Sequence, residues 1–337
     1  MIIFYAALLL IIIFSLRYTK YNNEYLSYET TNIVKGVFIL LVFIKHATPY
    51  IAKVCDRSEI GGDLFWFIDK NVGQWIVAMF LFYSGYGIME SIRKKGSNYI
   101  ETIPKKRILN VLVNFDIAVL LFIIVALFVG TPLTVKQIIM SFTGWDSVGN
   151  SNWYIFIILI CYAIAFISFY KQKSHLRSAF LCLILCLASI FILSYYKQEY
   201  WYNTMLCFCA GIYFSILKNE DFILKRYWYI LSLTIICLVI LNYSPFSLKG
   251  LTYNAKSIVF CAMIILLTMK LRLKSNTLLW CGKNLFPLYI YQRIPMIILA
   301  NVSGGLFITN YPISYTLSCL VITVLIALLY KYWAVKL

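Results

Sequence analysis

The sequence is poor in charged residues, and acidic residues are the rarer kind. Charged residues make up 13% of the 337 residues, with 13 Asp and Glu against 30 Lys and Arg. The chain contains no long polar segment that would fold as a second domain, and it shows no internal repeat or low-complexity tract. This composition excludes a soluble domain and indicates a membrane protein.

Cysteine is present, but it lacks the spacing of a disulfide framework or a metal site. Of the ten cysteines, Cys55 is the one that falls in a predicted loop. The others lie in apolar runs, where a free thiol behaves as a small apolar side chain. Cys207 and Cys209 are too close in sequence, and too poor in partner residues, to indicate a metal site. We therefore expect neither disulfides nor a bound metal.

Hydrophobic residues make up 62% of the chain and form long runs. Runs of this length predict an all-α, multi-pass membrane protein. The net charge of +17 fits this class without nucleic acid, because Lys and Arg collect in cytoplasmic loops and meet anionic membrane lipid. We count eleven candidate transmembrane helices, at 1–16, 33–52, 71–92, 108–130, 152–170, 176–196, 200–217, 226–244, 251–271, 277–300 and 313–334.

The ends of the chain are expected on opposite sides of the membrane. The run 1–16 lacks a positively charged start and an Ala-x-Ala-like end, which favours a retained anchor helix over a cleaved signal peptide. Alternate loops differ in basic residues, with nineteen Lys and Arg in one set and seven in the other. The positive-inside rule places the richer set in the cytoplasm. The N-terminus is then outside, the C-terminus is cytoplasmic, and the loops 53–70, 131–151 and 245–256 face outwards.

Ionisable residues inside one hydrophobic run are the strongest functional signal. Lys35 and His46 are eleven residues apart, which is about three helical turns plus about 20°, so they share one helix face about 16 Å apart along the axis. Ionisable groups at membrane depth are costly and usually functional. Imidazole titrates near neutrality and suits a general base, although a histidine that serves packing alone is an alternative. Lys45 points elsewhere, and we expect it to extend to the outer surface.

Two further segments carry candidate binding residues. Ser84, Gly85 and Tyr86 indicate either a helix packing seam or a cavity wall that a ligand approaches closely. A basic block follows, which acts as a topology signal and would also bind the phosphates of a nucleotide-bearing donor. The block comprises Arg93, Lys94, Lys95, Lys105, Lys106 and Arg107.

The late run 277–300 is unusual for a transmembrane helix. Arg293 lies in its middle, where it needs a partner or a water-filled cavity. Pro287 and Pro295 each interrupt backbone hydrogen bonding in the same run. We expect a functional role for this segment.

Four segments in order resemble the membrane-bound acyltransferase-3 family. The resemblance covers residues 30–335 and implies a ten-helix transmembrane domain, to which 1–16 is an added helix. Gln292 stands where the family often has histidine. The four segments are Lys35-x10-His46, Phe82-Tyr-Ser84-Gly85-Tyr86, Ile103-Pro-Lys-Lys-Arg107-Ile-Leu and Asn284-Leu-Phe-Pro-Leu-Tyr289-Ile-Tyr291.

The resemblance implies an O-acetyltransferase of the bacterial plasma membrane. It would move an acetyl group from cytoplasmic acetyl-CoA, a co-substrate, to a hydroxyl of a cell-surface polysaccharide or of its lipid-linked precursor, with no permanently bound cofactor. His46 would be the catalytic residue and Lys35 its basic partner. The candidate donor-binding residues are Arg107, Arg93, Lys106, Ser84 and Gly85. The candidate acceptor or oxyanion residues are Tyr86, Trp153, Tyr289, Tyr291, Gln292 and Arg293.

Three alternatives remain open at the level of sequence. One is a catalytically idle sensor or structural relative, against which the shared helix face of Lys35 and His46 argues. A transporter or flippase for a lipid-linked glycan also needs ionisable groups at mid-membrane. An acyltransferase that uses another acyl group, such as succinyl, fits the same residues. Binding of acetyl-CoA by the purified protein separates the transferase from the flippase.

Overall fold

The computed structural model describes residues 1–243, 248 and 250–337, and it is built almost entirely of helices. Part of the predicted outward loop 245–256 lies outside the described residues. The first ten helices are α1 (Ile2–Ser15), α2 (Tyr28–Ile51), α3 (Arg57–Ile60), α4 (Gly62–Val72), α5 (Trp75–Lys95), α6 (Ser97–Ile103), α7 (Asn110–Phe128), α8 (Val135–Ser141), α9 (Trp153–Phe169) and α10 (His175–Tyr196). The others are α11 (Leu206–Leu217), α12 (Glu220–Lys225), α13 (Tyr227–Tyr243), α14 (Leu251–Lys270), α15 (Asn276–Lys283), α16 (Leu285–Tyr291), α17 (Arg293–Asn301), α18 (Leu306–Asn310) and α19 (Pro312–Leu329).

Short elements connect some of these helices. A π-helical turn, Pro104–Leu109, joins α6 to α7 and carries part of the basic block. Two strands, β1 (Leu16–Tyr18) and β2 (Leu271–Leu273), pair antiparallel with Arg17 opposite Arg272. The ribbon ties the end of α1 to the segment that follows α14.

The described residues contain six helical runs that are long and apolar enough to cross a membrane. The helices α1, α9 and α13 are apolar but shorter. These findings confirm the predicted all-α membrane class, whereas the count of eleven spans and their orientation stay predictions. The six runs are Tyr28–Ile51, Gly62–Lys95, Ser97–Phe128, His175–Tyr196, Leu251–Lys270 and Pro312–Tyr332.

Helix α2 begins earlier than hydrophobicity predicts. Ser27 caps it by accepting a hydrogen bond from the Thr30 amide at 3.1 Å. A serine at this position satisfies one of the otherwise free amides of the first turn. The polar first turn extends the helix before the apolar run, so Lys35 lies two turns inside α2.

The late run 277–300 is divided into α15, α16 and α17. The divisions fall at Asn284 and Gln292, each three residues before a proline, Pro287 or Pro295. Proline has no amide hydrogen and its ring crowds the preceding turn, which interrupts the hydrogen-bond ladder there. The predicted interruptions at Pro287 and Pro295 are therefore confirmed, and the run 277–300 forms three short helices instead of one continuous helix.

Glycines bring two pairs of helices into backbone contact. A Cβ on Gly36 of α2 would lie 1.9 Å from the Leu278 carbonyl oxygen of α15, and one on Gly282 would lie 1.8 Å from the Asn32 carbonyl oxygen. The contacts are reciprocal, so α2 and α15 pack at a distance that no larger side chain permits. This packing fixes α2, which carries Lys35 and His46.

Helices α5 and α11 form a second crossing of the same kind. A Cβ on Gly85 would lie 2.0 Å from the Phe208 carbonyl oxygen, and one on Gly211 would lie 2.1 Å from the Phe82 carbonyl oxygen. Of the two interpretations of Gly85 given above, the structure therefore supports the packing seam and not the cavity wall.

Candidate active site

Helix α2 places Lys35 and His46 in two different pockets. Lys35 lies in a pocket of about 240 Å³, here called the Lys35 pocket. Its polar wall includes Ser84 of α5 and Tyr289 of α16, and four of its other lining residues come from α9. The Lys35 ammonium also lies 5.7 Å from the centre of the Tyr83 ring. The pocket is thus built where α2, α5, α9 and α16 meet.

Arg107 lines both the Lys35 pocket and a second, more basic one. This basic pocket, of about 320 Å³, is lined by Lys95, Asn98, Tyr99, Thr102, Lys106 and Arg107. Arg107 Nε donates a hydrogen bond to the Tyr99 hydroxyl at 3.2 Å. The predicted donor residues Arg107 and Lys106 therefore line a basic pocket that adjoins the Lys35 pocket at Arg107.

His46 lies in a third pocket, the His46 pocket, of about 220 Å³. It is lined by Lys45, His46, Pro49, Tyr50, Lys53 and Arg293. Arg293 approaches the Tyr50 hydroxyl with Nη2 at 3.4 Å. Arg293 was predicted to need a partner or a water-filled cavity. The structure gives it both, a tyrosine of α2 and a polar pocket.

The Lys45 side chain is 36% exposed and reaches Asp69, in the segment 53–70 that is predicted to face outwards, so its extension to the outer surface stays a prediction. Its ammonium donates to a carboxylate oxygen of Asp69 and, at 3.1 Å, to the Asp69 backbone oxygen. The Asp69 side chain is 8% exposed, so the pair fastens α4 against α2 beside His46. Removing one partner of such a pair leaves an uncompensated charge, which is strongly destabilising.

Tyr289 stands between the Lys35 and His46 pockets. It lines the Lys35 pocket, and its ring centre lies 6.1 Å from that of His46 and 5.3 Å from that of Tyr154. Its hydroxyl is buried and has no hydrogen-bond partner among the described residues. A buried donor without a partner is rare and points to a ligand or a catalytic role.

Ser151 is a site residue that the sequence analysis missed. Its hydroxyl lies 3.5 Å from His46 Nδ1, and the residue is 4% exposed. The neighbouring loop is rigid, because Ser147 Oγ donates to the Asn150 carbonyl at 2.7 Å and Asn152 Nδ2 donates to the Gly144 carbonyl at 2.8 Å. The polar run Asn150-Ser-Asn before an apolar helix was the available signal.

Arg93, a candidate donor-binding residue, and Tyr86, a candidate acceptor or oxyanion residue, lie outside the three pockets. Arg93 donates to the Ser215 carbonyl at 2.8 Å and pairs with Glu90. The Tyr86 hydroxyl accepts a hydrogen bond from Lys218 at 2.9 Å. Lys218 also borders an apolar cavity of about 490 Å³ that contains none of the predicted catalytic residues. Arg93 and Tyr86 therefore line neither the basic pocket nor the Lys35 pocket.

Three other predicted acceptor residues contact the site indirectly or not at all. Gln292 is fully buried and donates to the Tyr289 carbonyl at 2.9 Å. The Tyr291 hydroxyl accepts from Trp333 Nε1 at 3.3 Å. Trp153 lies edge-on to Tyr154, and none of the three lines the His46 pocket.

The structure also brings together thiols that sequence spacing left apart. The Sγ atoms of Cys182 and Cys186 on α10 and of Cys209 on α11 all lie within 4.8 Å of one another. Cys209 therefore has partner thiols across the contact between α10 and α11, which its spacing from Cys207 does not indicate. The three side chains are buried.

The helices and pockets define a multi-pass membrane protein with a histidine in one polar pocket and a lysine of the same helix in another. A family model described as an acyltransferase domain matches residues 28–332. The chain therefore belongs to the acyltransferase-3 family, and helix α1 lies outside the matched region. No curated protein and no solved structure matches the chain.

Proposed function

We propose that this acyltransferase moves an acetyl group from cytoplasmic acetyl-CoA to a hydroxyl of a cell-surface polysaccharide, or of its lipid-linked precursor, at a bacterial plasma membrane. The observation that carries the proposal is the succession of three pockets. Arg107 is shared by the basic and Lys35 pockets, and Tyr289 lies between Lys35 and His46. A long donor with phosphates at one end and a thioester at the other suits such a route.

The donor enters from the basic pocket in this proposal. Lys95, Lys106 and Arg107 are all exposed there, and lysine and arginine bind phosphate through charge and hydrogen bonds. The pantetheine arm then passes through the Lys35 pocket, whose lining is largely apolar and aromatic with Ser84 as a polar point of contact. Lys35 lies close enough to this arm to bind its polar groups.

His46 carries out the proton transfer in this mechanism. As general base it takes the proton of the acceptor hydroxyl while that oxygen attacks the thioester carbonyl carbon. The carbon–sulfur bond then breaks, and the departing thiolate of coenzyme A receives the proton back from the imidazolium. The same position also allows His46 to carry the acyl group briefly before it passes to the acceptor.

Tyr289 and Ser151 complete the mechanism. The free Tyr289 hydroxyl is placed to donate to the oxyanion that develops on the thioester carbonyl. The Ser151 hydroxyl, at Nδ1, orients the imidazole so that Nε2 faces the reacting groups. In this scheme Tyr289 touches the reacting atoms and Ser151 acts through His46.

A matched pair of histidine variants tests the proposal. His175, the other histidine of the chain, is exposed at the start of α10 and lines none of the three pockets. We expect His46→Ala to abolish acetylation of the surface glycan in a complemented deletion strain, and His175→Ala to leave it intact. Mass spectrometry of the glycan, with protein levels matched by immunoblot, gives the readout. Full acetylation with His46→Ala refutes the catalytic assignment.

The purified protein provides the second arm of the test. Acetyl-CoA should bind both the wild-type protein and His46→Ala, because the donor contacts lie in other pockets. A flippase has no need to bind it. Absence of acetyl-CoA binding by the wild-type protein would therefore favour the transport alternative. Competition with succinyl-CoA identifies the acyl group.

A further inference from the structure

The His46 pocket presents charges of one sign to whatever occupies it. Lys45, Lys53 and Arg293 line it together with His46 and Tyr50. Lys45 is neutralised by Asp69. Within the described part of the chain, no carboxylate oxygen lies within 4.0 Å of the Lys53 ammonium or the Arg293 guanidinium. Two cationic groups are therefore left without an acidic partner in a pocket of about 220 Å³.

Arg293 has unused hydrogen-bonding capacity. A guanidinium carries five N–H donors in a planar fork, and its charge persists at every physiological pH. The contact that the structure gives it is the Tyr50 hydroxyl, at 3.4 Å from Nη2, with the Tyr50 ring centre 6.0 Å from Cζ. Both are neutral partners. A half-buried arginine at the start of α17 is costly without an anion, so its position beside His46 points to an anionic ligand.

The donor phosphates do not account for these cations. Lys35 shares its pocket with Arg107. It lies sixteen residues before Ile51, the end of α2, or about 24 Å along the helix at about 1.5 Å per residue, and Lys53 follows two residues later. The donor phosphates are assigned to Lys106 and Arg107, on the far side of Tyr289 from His46. The cations of the His46 pocket are thus left for the second substrate.

We propose that the acceptor is anionic, with a carboxylate or phosphate group on the same sugar or polyol unit as the acylated hydroxyl, or on the adjacent unit. This inference rests on the proposed function. The Arg293 fork binds two oxygens of the anionic group, and Lys53 adds a point charge at the mouth of the pocket. With the anion held there, the hydroxyl reaches His46. A neutral glycan leaves both charges without a partner, so the pocket discriminates against it.

Chemical analysis of the surface glycans tests the inference directly. O-acetyl groups are located by mass spectrometry and NMR in the wild-type strain and in a deletion strain. We expect the acetyl groups that disappear to lie on or next to a unit that bears a uronic acid or a phosphodiester. Mass spectrometry and NMR together show which of the two anionic groups, carboxylate or phosphate, that unit carries. Loss of acetyl groups from a glycan that is neutral at that position overturns the inference and leaves the proposed function intact. If no acetyl group disappears, the proposed function fails.

A charge variant at the pocket mouth supplies an independent measurement. Lys53 is exposed, so K53Q should fold normally, and K70Q on α4 removes an exposed lysine outside the pocket. We expect K53Q to lower the rate of glycan acetylation at least fivefold, with the KM for acetyl-CoA unchanged. Added NaCl should inhibit acetylation by K53Q less than it inhibits acetylation by the wild type. K70Q should match the wild type in both respects. An unchanged rate and salt response in K53Q contradicts the inference.

Discussion

The ring of Tyr289 lies 6.1 Å, centre to centre, from the imidazole of His46. The same tyrosine lines the pocket that contains Lys35. One aromatic side chain thus touches both halves of the proposed route, and its hydroxyl is buried without a hydrogen-bond partner among the described residues. Leaving such a hydroxyl unsatisfied costs about 1–3 kcal/mol, and a substrate oxyanion would recover that energy.

The first prediction concerns this hydroxyl. Tyr289→Phe keeps the ring and removes the donor, so we expect kcat to fall about 10- to 100-fold, somewhat less than the ~10²–10³ known for loss of an oxyanion-hole donor. The KM for acetyl-CoA should change little. The control is Tyr291→Phe, two residues along the chain, whose hydroxyl contacts Trp333 instead of a pocket. A kcat for Tyr289→Phe equal to that of the control removes Tyr289 from the mechanism.

The second prediction concerns the orientation of the imidazole. Ser151→Ala removes the hydroxyl 3.5 Å from His46 Nδ1. A hydrogen bond of this kind contributes about 0.5–1.5 kcal/mol, so kcat should fall about 3- to 10-fold. Ser151→Thr, which keeps a hydroxyl, should recover most of the loss, and Ser194→Ala on the exposed side of α10 serves as control. Failure of Ser151→Thr to recover activity while the protein stays folded would mean that packing, and not the hydroxyl, matters here.

The sequence predicted the parts of the site that one helix supplies. Helical periodicity placed Lys35 and His46 on α2, and the proline positions explain why the late run is divided. The sequence could not predict the contact between Ser151 and His46, because the two residues are 105 positions apart in the chain. The Lys45–Asp69 pair was missed for the same reason, since α4 folds back onto α2.

Residue type alone was also a poor guide to which side chains share a pocket. Arg93 and Arg107 belong to one basic block in the sequence, but Arg93 turns to α11 and binds the Ser215 carbonyl. Tyr86 follows Ser84 by two residues and lies on another face of α5, beside Lys218. A helix turns about 100° per residue, so neighbours in a motif face different partners, and which face meets the pocket depends on tertiary packing.

The third prediction concerns donor binding. Hydrogen bonds to charged groups contribute about 1.5–3 kcal/mol, so Arg107→Ala should raise the KM for acetyl-CoA about 10- to 100-fold with a smaller change in kcat. The KM of Arg107→Lys should lie between those of the wild type and Arg107→Ala, because lysine keeps the charge but lacks the planar fork of arginine. Arg177→Ala, at an exposed position in the first turn of α10, is the matched control. Steady-state kinetics of the purified protein give both constants, and an Arg107→Ala enzyme with the wild-type KM contradicts the assigned donor route.

The fourth prediction concerns the helix crossing that sets the wall of the Lys35 pocket. A Cβ on Gly85 would lie 2.0 Å from the Phe208 carbonyl oxygen, whereas one on Gly87 would meet no atom within 4 Å. Gly85→Ala should therefore destabilise the protein by about 1–3 kcal/mol through overpacking against backbone. Gly87→Ala on the same helix should be neutral or stabilise it by about 0.5–1 kcal/mol, because alanine loses less conformational freedom than glycine.

The two glycine variants separate packing from helix propensity. Both substitutions add one methyl group to α5, so a common loss of stability would reflect the helix itself, and a loss confined to Gly85→Ala reflects the contact with α11. Thermal unfolding in the same detergent gives the comparison, and folded protein after extraction provides a second measure. Because Ser84 lies on the pocket wall beside this crossing, Gly85→Ala should also lower the activity of the protein that does fold. Equal unfolding temperatures for the two variants would contradict the close α5–α11 approach.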